Sequence, residues 1–486
     1  MKAVRLGVLS VLCGQFVFLA FAQSLDAQVR PDRSKPPALG PLSRLNLPSI
    51  QQRALSNGIA VLIVEAHEVP IVQVSLLLRA GAGNDPAGRF GTASLTAAML
   101  DEGAGTRSAL EIADAVELLG AALTTTAGFD ASAVRLNVPV KYLDDGLALM
   151  ADVALRPTFP GADLERLRQE RLTALLQARD DPASIAGTAF ARIVFGREHR
   201  YGTGLIGTEA TVKALTGDDL RRFHAAYYQP ANATLIVVGD ITADVAVPRL
   251  EKQFGTWSTT DALQKASAVP AAPQFTRRQV YLVDKPDAEQ SQIRIGWVGM
   301  SRSTPDYFPI LVLNTILGGS FTSRLNQNLR EEHGYGYGAS SVFDMRLSPG
   351  PFVAAAGVQT DKTADAVREF FNELEGIRMP VGAEELAKAK NYIALGFPAE
   401  FETSTDLSRQ LEELVVYRLP RDYFERYVPN VLGVTATAIQ QAAERHIEPS
   451  RFAVVIVGDR KTIEPGIRAL NLGPLRVMTV DEAVSP

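Results

Sequence analysis

Arg330 and Tyr337 stand seven residues apart in LGGSFTSRLNQNLREEHGYGYGASS, and both side chains can donate hydrogen bonds. A helix through Arg330 that stops at Gly334, a good left-handed cap, places the guanidinium in the last helical turn. Alternation beyond the cap predicts Tyr335, Tyr337 and Ala339 on one face of a returning strand. The two donors can then point to a common place, where they could hold a peptide carbonyl and the oxyanion it becomes. Gly318 and Gly319, just ahead, predict a flexible turn without side chains. Plainer roles suit the same residues: an arginine near a helix C-terminus complements the macrodipole, and tyrosine is common in strands.

Other chemistries find less support. His67, His199, His224, His333 and His446 are the only histidines, and none has another within four residues. No helix face can therefore offer paired imidazoles to a metal. No Gly-x-Ser-x-Gly elbow is present. GTGLIG at Gly202 to Gly207 has dinucleotide-loop spacing, but it follows REHRY rather than an apolar strand and reads as a tight loop. Asp101 and Glu102 are neighbours at a helix end, diverge by about 100°, and read as solvated carboxylates.

The elements that position these residues come from a chain of 486 residues, 46% hydrophobic and 21% charged, an ordinary globular composition with more than one domain. A net charge of -5 without a dense Lys/Arg block argues against a nucleic-acid surface. Lys2 and Arg5 precede an apolar run from Leu6 to about Ala22, with small residues at Ala20, Ala22 and Ala27. Residues 1–27 therefore read as a secretory signal peptide, with an uncleaved anchor as the other possibility. The single cysteine, Cys13, lies inside that segment. A mature chain without disulfide or thiolate suits export to the bacterial periplasm. Residues 28–50, rich in proline, read as an extended lead-in.

The chain also repeats itself. VLIVEAHEVPIVQVSLLLRAG from Val61 and VYLVDKPDAEQSQIRIGWVG from Val280 are offset by 219 residues, as are TLIVVGD ending at Asp240 and AVVIVGD ending at Asp459. This predicts two homologous halves, 51–257 and 279–478, joined by a linker over 258–278. Within the first half the patterns predict a strand over 72–78, a hairpin turning at Gly128, and helices over 89–101, 109–119, 141–154 and 163–179. The expected fold is α+β: two α/β-sandwich-like halves, each a mixed, largely antiparallel sheet covered by helices, forming a clamshell.

RAGAGNDPAGRFGTASLTAAML, RDDPAS, YYQPANATLIVVGD and SRLNQNLREEHGYGYG together resemble the pitrilysin/insulinase family of zinc peptidases, particularly its short bacterial and mitochondrial-processing-type branch. The resemblance covers nearly the whole mature chain. It implies a His-x-x-Glu-His motif on the segment GTASLTAAML, where the first His falls on Ser94, the general-base Glu on Ala97 and the second His on Ala98. The family's third ligand, a Glu on a later helix, falls at or next to Ala174. On this resemblance the chain binds no metal itself and has no carboxylate to activate water. It further implies that Arg330 and Tyr337 hold the substrate backbone and stabilise the tetrahedral intermediate, beside a substrate-binding turn at Gly318 and Gly319. The expectation is the non-metal subunit of a heterodimeric zinc peptidase acting on peptides, with the zinc on a zinc-motif homologue as partner. The alternative is an inactive structural or peptide-binding relative. An autonomous enzyme of unrelated chemistry is a third reading, weakened by the few histidines and the missing mature cysteine.

Overall fold

The computed structural model describes Gly40, 47–260, 262–264 and 269–485. The signal peptide expected over 1–27 and most of the lead-in expected over 28–50 lie outside the described residues. From Leu45 onward the chain forms one compact unit.

Two six-stranded mixed sheets organise that unit. The first contains β1 (Gln51–Ala54), β2 (Ala60–Glu65), β3 (Ile71–Leu78), β4 (Ala122–Ala127), β5 (Ser132–Pro139) and β6 (Ala233–Gly239). Their order is β1-β2-β6-β3-β5-β4, with only β2 and β6 parallel. The second contains β7 (Gln279–Asp284), β8 (Gln290–Val298), β9 (Ala339–Phe343), β10 (Pro351–Gln359), β11 (Ala453–Gly458) and β12 (Leu475–Thr479). Its order is β9-β10-β8-β11-β7-β12, with β7 parallel to both β11 and β12.

The 219-residue spacing extends to strand register. Ala60 lies opposite Thr234 and Gln279 opposite Ala453; Gln73 lies opposite Val238 and Gln292 opposite Val457. A one-residue slip would turn a buried face toward water. The central strands β6 and β11 are buried at every position, so their register admits no slip.

Five helices matter for the site: α1 (Thr92–Ala98), α2 (Gly161–Ala178), α3 (Pro182–Phe195), α4 (Tyr307–Leu317) and α5 (Ser404–Val416). α1 is shorter than the helix expected over 89–101. Gly91 has φ +101°, and a β-carbon on it would stand 2.5 Å from the Ile206 carbonyl oxygen. The chain therefore turns at Gly91 before the helix can begin. α3 starts where Asp181 accepts the Ser184 amide at 2.9 Å and Pro182 occupies the first turn; proline tolerates that place because its missing N–H has no partner there.

α3 and α5 cross between the halves. α3, from the first half, packs Ile185, Ala189 and Phe190 with Val455 and Val457 of the second sheet. α5, from the second half, packs Leu407, Leu411 and Leu414 with Val64, Ile236 and Val238 of the first. Each fully buried Leu, Ile or Phe contributes about 1.5–3 kcal/mol, so the exchange binds the halves firmly. α5 also carries Glu412, which accepts Arg135 Nε and the Ser75 hydroxyl, each at 2.7 Å.

Candidate functional site

The chain enters the Arg330 region through Arg324–Asn326, widens into a π-turn over Gln327–Glu332, and stops at Gly334, φ +64°. The Gly334 amide donates to the Arg330 carbonyl at 3.1 Å and the Tyr335 amide to the Leu329 carbonyl at 2.8 Å. β9 begins only at Ala339. Tyr335 and Tyr337 therefore lie in a loop and do not share a strand face with Ala339, contrary to the sequence expectation. The loop is held off the ladder because Gln359 donates its amide to Tyr335 at 2.9 Å and Gly336 sits hard against the Gly357 carbonyl, 2.2 Å from where a β-carbon would be.

The two donors nevertheless meet. The Arg330 guanidinium carbon is 4.9 Å from the centroid of the Tyr337 ring and 4.6 Å from that of Phe321. Tyr337 is 87% exposed and Phe321 61%. The closest carboxylate to Arg330 is its neighbour Glu331, at 3.2 Å from Nε. Stacking between two rings orients the guanidinium, and an exposed cation–π contact is worth only ~0.5–1 kcal/mol. This arrangement adds little to folding and presents a cation, a phenol and an aromatic face to solvent.

Gly318 and Gly319 form a close-packed turn rather than the flexible one expected. A β-carbon on Gly318 would lie 2.3 Å from the Ser341 amide nitrogen, and one on Gly319 would lie 2.8 Å from the Asn314 side chain. The Gly318 carbonyl accepts the Ser341 amide at 3.1 Å, which locks the turn to β9. A cavity of about 530 Å³ opens beside it, lined among others by Ser320, Thr322, Asn328 and Glu332.

In the first half, α1 carries Ser94, Ala97 and Ala98, and α2 carries Ala174. Among these side chains only Ser94 has a heteroatom, and it is engaged. Its hydroxyl donates to the Leu205 carbonyl at 2.8 Å and accepts Arg171 Nη1 at 2.9 Å. Arg171 sits one turn before Ala174 on α2, and burial pushes its pKa down to about 10. It still carries its proton at neutral pH. A metal ion needs three or four electron-pair donors, and these four positions offer one hydroxyl beside a resident cation. They do not fit zinc.

What keeps α1 in place is a carboxylate. Asp85 accepts the Gly91 and Ala93 amides at 2.7 Å each and pairs with Arg200 Nη2 at 3.0 Å, both side chains being buried. A negative charge at a helix N-terminus complements its dipole. The Gly202–Gly207 segment, read as a tight loop, supplies the Leu205 carbonyl that Ser94 reaches. Asp101 and Glu102 depart from the solvated reading: burial pushes the Asp101 carboxyl up, and Glu102 pairs with Arg166 at 2.5 Å.

Sequence reasoning missed Asp85, Arg171, Arg200 and Phe321. Arg171 carried one usable signal, lying three residues before Ala174 on the same helix. Phe321 carried another, as a large apolar residue just after a Gly-Gly turn.

Comparison with known proteins identifies the family. Residues 60–195 match the model for "Insulinase (Peptidase family M16)" and residues 214–393 the model for "Peptidase M16 inactive domain". The "Uncharacterized zinc protease YmxG" of Bacillus subtilis is 24% identical over 364 residues, 74% of this chain and 87% of that protein. The crystal structure of a peptidase M16 inactive domain from Pseudomonas fluorescens superposes with a TM-score of 0.78 at 25% identity, covering 84% of this chain and 98% of that one. The periplasmic protease PqqL from Escherichia coli has the same fold, with a TM-score of 0.72 at 17% identity over 92% of this chain but 51% of its own. With two M16 models matched over residues 60–195 and 214–393 and this fold, the chain belongs to the M16 (insulinase/pitrilysin) peptidase family.

Proposed function

We propose that this chain is the zinc-free subunit of a two-chain M16 peptidase, contributing Arg330 and Tyr337 to a peptide held at the zinc of a His-x-x-Glu-His partner. The observation that carries the proposal is the apposition of Arg330 and Tyr337 at 4.9 Å in an exposed cluster that serves no packing role within the chain. Donors set in advance around a developing oxyanion stabilise it without reorganisation, and nothing requires that they come from the chain that holds the metal. The chain's alignment with half of PqqL supports its reading as one unit of a pair. The leader-like residues 1–27 support export, so that the pair would work in the periplasm.

The test is co-expression with a zinc-motif homologue and a peptide-cleavage assay on each chain and on the pair. The chain alone should neither retain zinc nor cleave. In the pair, Arg330→Ala and Tyr337→Phe should each lower kcat by about 10²-fold, the usual loss on removing one oxyanion donor, while complex formation is unchanged. Equal turnover by wild type and both variants would refute the roles assigned to the two residues.

A further inference from the structure

A second cavity, of about 650 Å³, lies on the seam between the halves. The first half contributes Arg79, Asn84, Phe129 and Tyr201 to its wall, and the second contributes Tyr417 and Arg418. Three donors on that wall, Arg79 Nε, Asn84 Nδ2 and the Tyr201 hydroxyl, are buried and meet no hydrogen-bonding partner at normal geometry among the described residues. Ser348 is the polar neighbour of the Tyr201 hydroxyl, and its own hydroxyl donates to the Val269 carbonyl at 3.1 Å. Behind the wall, Arg346 packs its guanidinium 3.8 Å from the Phe129 ring and 4.4 Å from the Tyr201 ring, and its Nη1 is likewise unpartnered. Folded proteins pair nearly all buried polar groups, so a run of orphans of one kind calls for a ligand.

Arg418 supplies an independent observation. It follows α5 with φ +51°, the left-handed position where helices ordinarily end on glycine. The Leu419 amide returns to the Leu414 carbonyl at 3.0 Å, which holds it there. A glycine would relieve the steric cost, yet the position carries an arginine that lines the cavity and whose side chain has no bonding partner among the described residues. Strained backbone of this kind persists where the side chain has a use. The one acid on the wall, Asp130, is already engaged, accepting the Leu347 amide at 3.0 Å.

All the unmade groups are donors, and two of them belong to arginines from opposite halves. We propose that the seam cavity binds a small multiply charged oxyanion, phosphate or polycarboxylate, held by Arg79 and Arg418 with Asn84 and Tyr201 completing its hydrogen bonds. The ligand bridges the two halves and stabilises their packing. This site is separate from the Arg330 cluster and does not depend on the peptidase reading.

The experiment is thermal unfolding and titration calorimetry of the full chain with inorganic phosphate and with citrate, at ionic strength held constant with sodium chloride. A ligand that binds only the folded state raises Tm with concentration and saturates. The expected result is a saturable rise with one anion or both, one ligand per chain, and a Kd weakened at least tenfold by Arg79→Gln and by Arg418→Gln. A response to phosphate alone identifies a phosphoryl ligand; a response to citrate alone identifies a carboxylate. Arg418 is exposed and makes no internal bond, so Arg418→Gln keeps the test decisive even where Arg79→Gln fails to fold. No saturable shift with either anion, or the same shift in Arg418→Gln as in wild type, overturns the proposal.

Discussion

α1 and the last seven residues of α4, 92–98 and 311–317, occupy equivalent places 219 residues apart, yet they lead into opposite kinds of surface. Both stretches bury five of their seven residues, and the face of α1 bearing Ser94 is occupied by the Arg171 guanidinium. Beyond α4, the Gly318–Gly319 turn opens onto Phe321, Arg330 and Tyr337, with both rings largely in water. At the first place Ser94 is engaged by Arg171 and the Leu205 carbonyl, and Asp85 caps the helix from a buried position. The second presents a guanidinium, a phenol and an aromatic ring outward. Equivalent scaffold thus leads to a closed, capped helix in one half and to an exposed cationic and aromatic cluster in the other.

The contrast breaks most severely at the cap. Asp85→Ala leaves Arg200 buried without its carboxylate, and should destabilise the chain by about 3–5 kcal/mol, read by denaturant unfolding. A loss under 1 kcal/mol would mean that α1 is held by packing alone. Next comes a graft of Ser94→His, Ala97→Glu, Ala98→His and Ala174→Glu. With Arg171 present this quadruple variant should bind zinc poorly, and adding Arg171→Met should tighten binding at least tenfold, measured by chelator competition. Equal affinity with and without Arg171 would show that the guanidinium does not oppose a metal there.

Acid should separate the halves as well. His224 lies on the helix Gly217–Tyr227, and the equivalent position on Ala436–His446 is the buried Ala443. Burial lowers the His224 pKa below 6.5, and the ring nitrogen Nε2 bonds the Ala154 carbonyl at 2.9 Å. Because the folded form resists the proton, the stability this neutral ring contributes is present above pH 6.5 and is lost as pH falls below it. Wild type should lose Tm between pH 7 and pH 5 more steeply than His224→Gln; parallel curves would remove His224 as the cause. The smallest effect belongs to the exposed cluster: Tyr337→Ala should change stability by no more than about 0.5 kcal/mol, since its ring is mostly in water. A larger loss would make Tyr337 a packing residue.

Much of this was readable before any contact was known. The 219-residue repeat foretold matching registers because strand pairing must keep the same buried faces. Gly334 foretold the helix stop because its backbone can turn left-handed without strain. Tyr337 was misplaced because alternation alone does not reveal that Gly336 must slide under the Gly357 carbonyl. Asp85 and Arg200 went unread because a buried ion pair looks, in one dimension, like two ordinary surface charges 115 residues apart.

The sequence by itself determined the duplicated sheets, the helix stop at Gly334 and the want of paired imidazoles, since these depend on period, capping and residue type within short stretches. Only the tertiary structure decided that α3 and α5 trade sheets, that Arg171 settles on Ser94, and that Arg330 stacks between Phe321 and Tyr337. Those outcomes depend on which distant surfaces can be buried together and which side chains are left facing water, and neighbouring residues in the chain do not encode that.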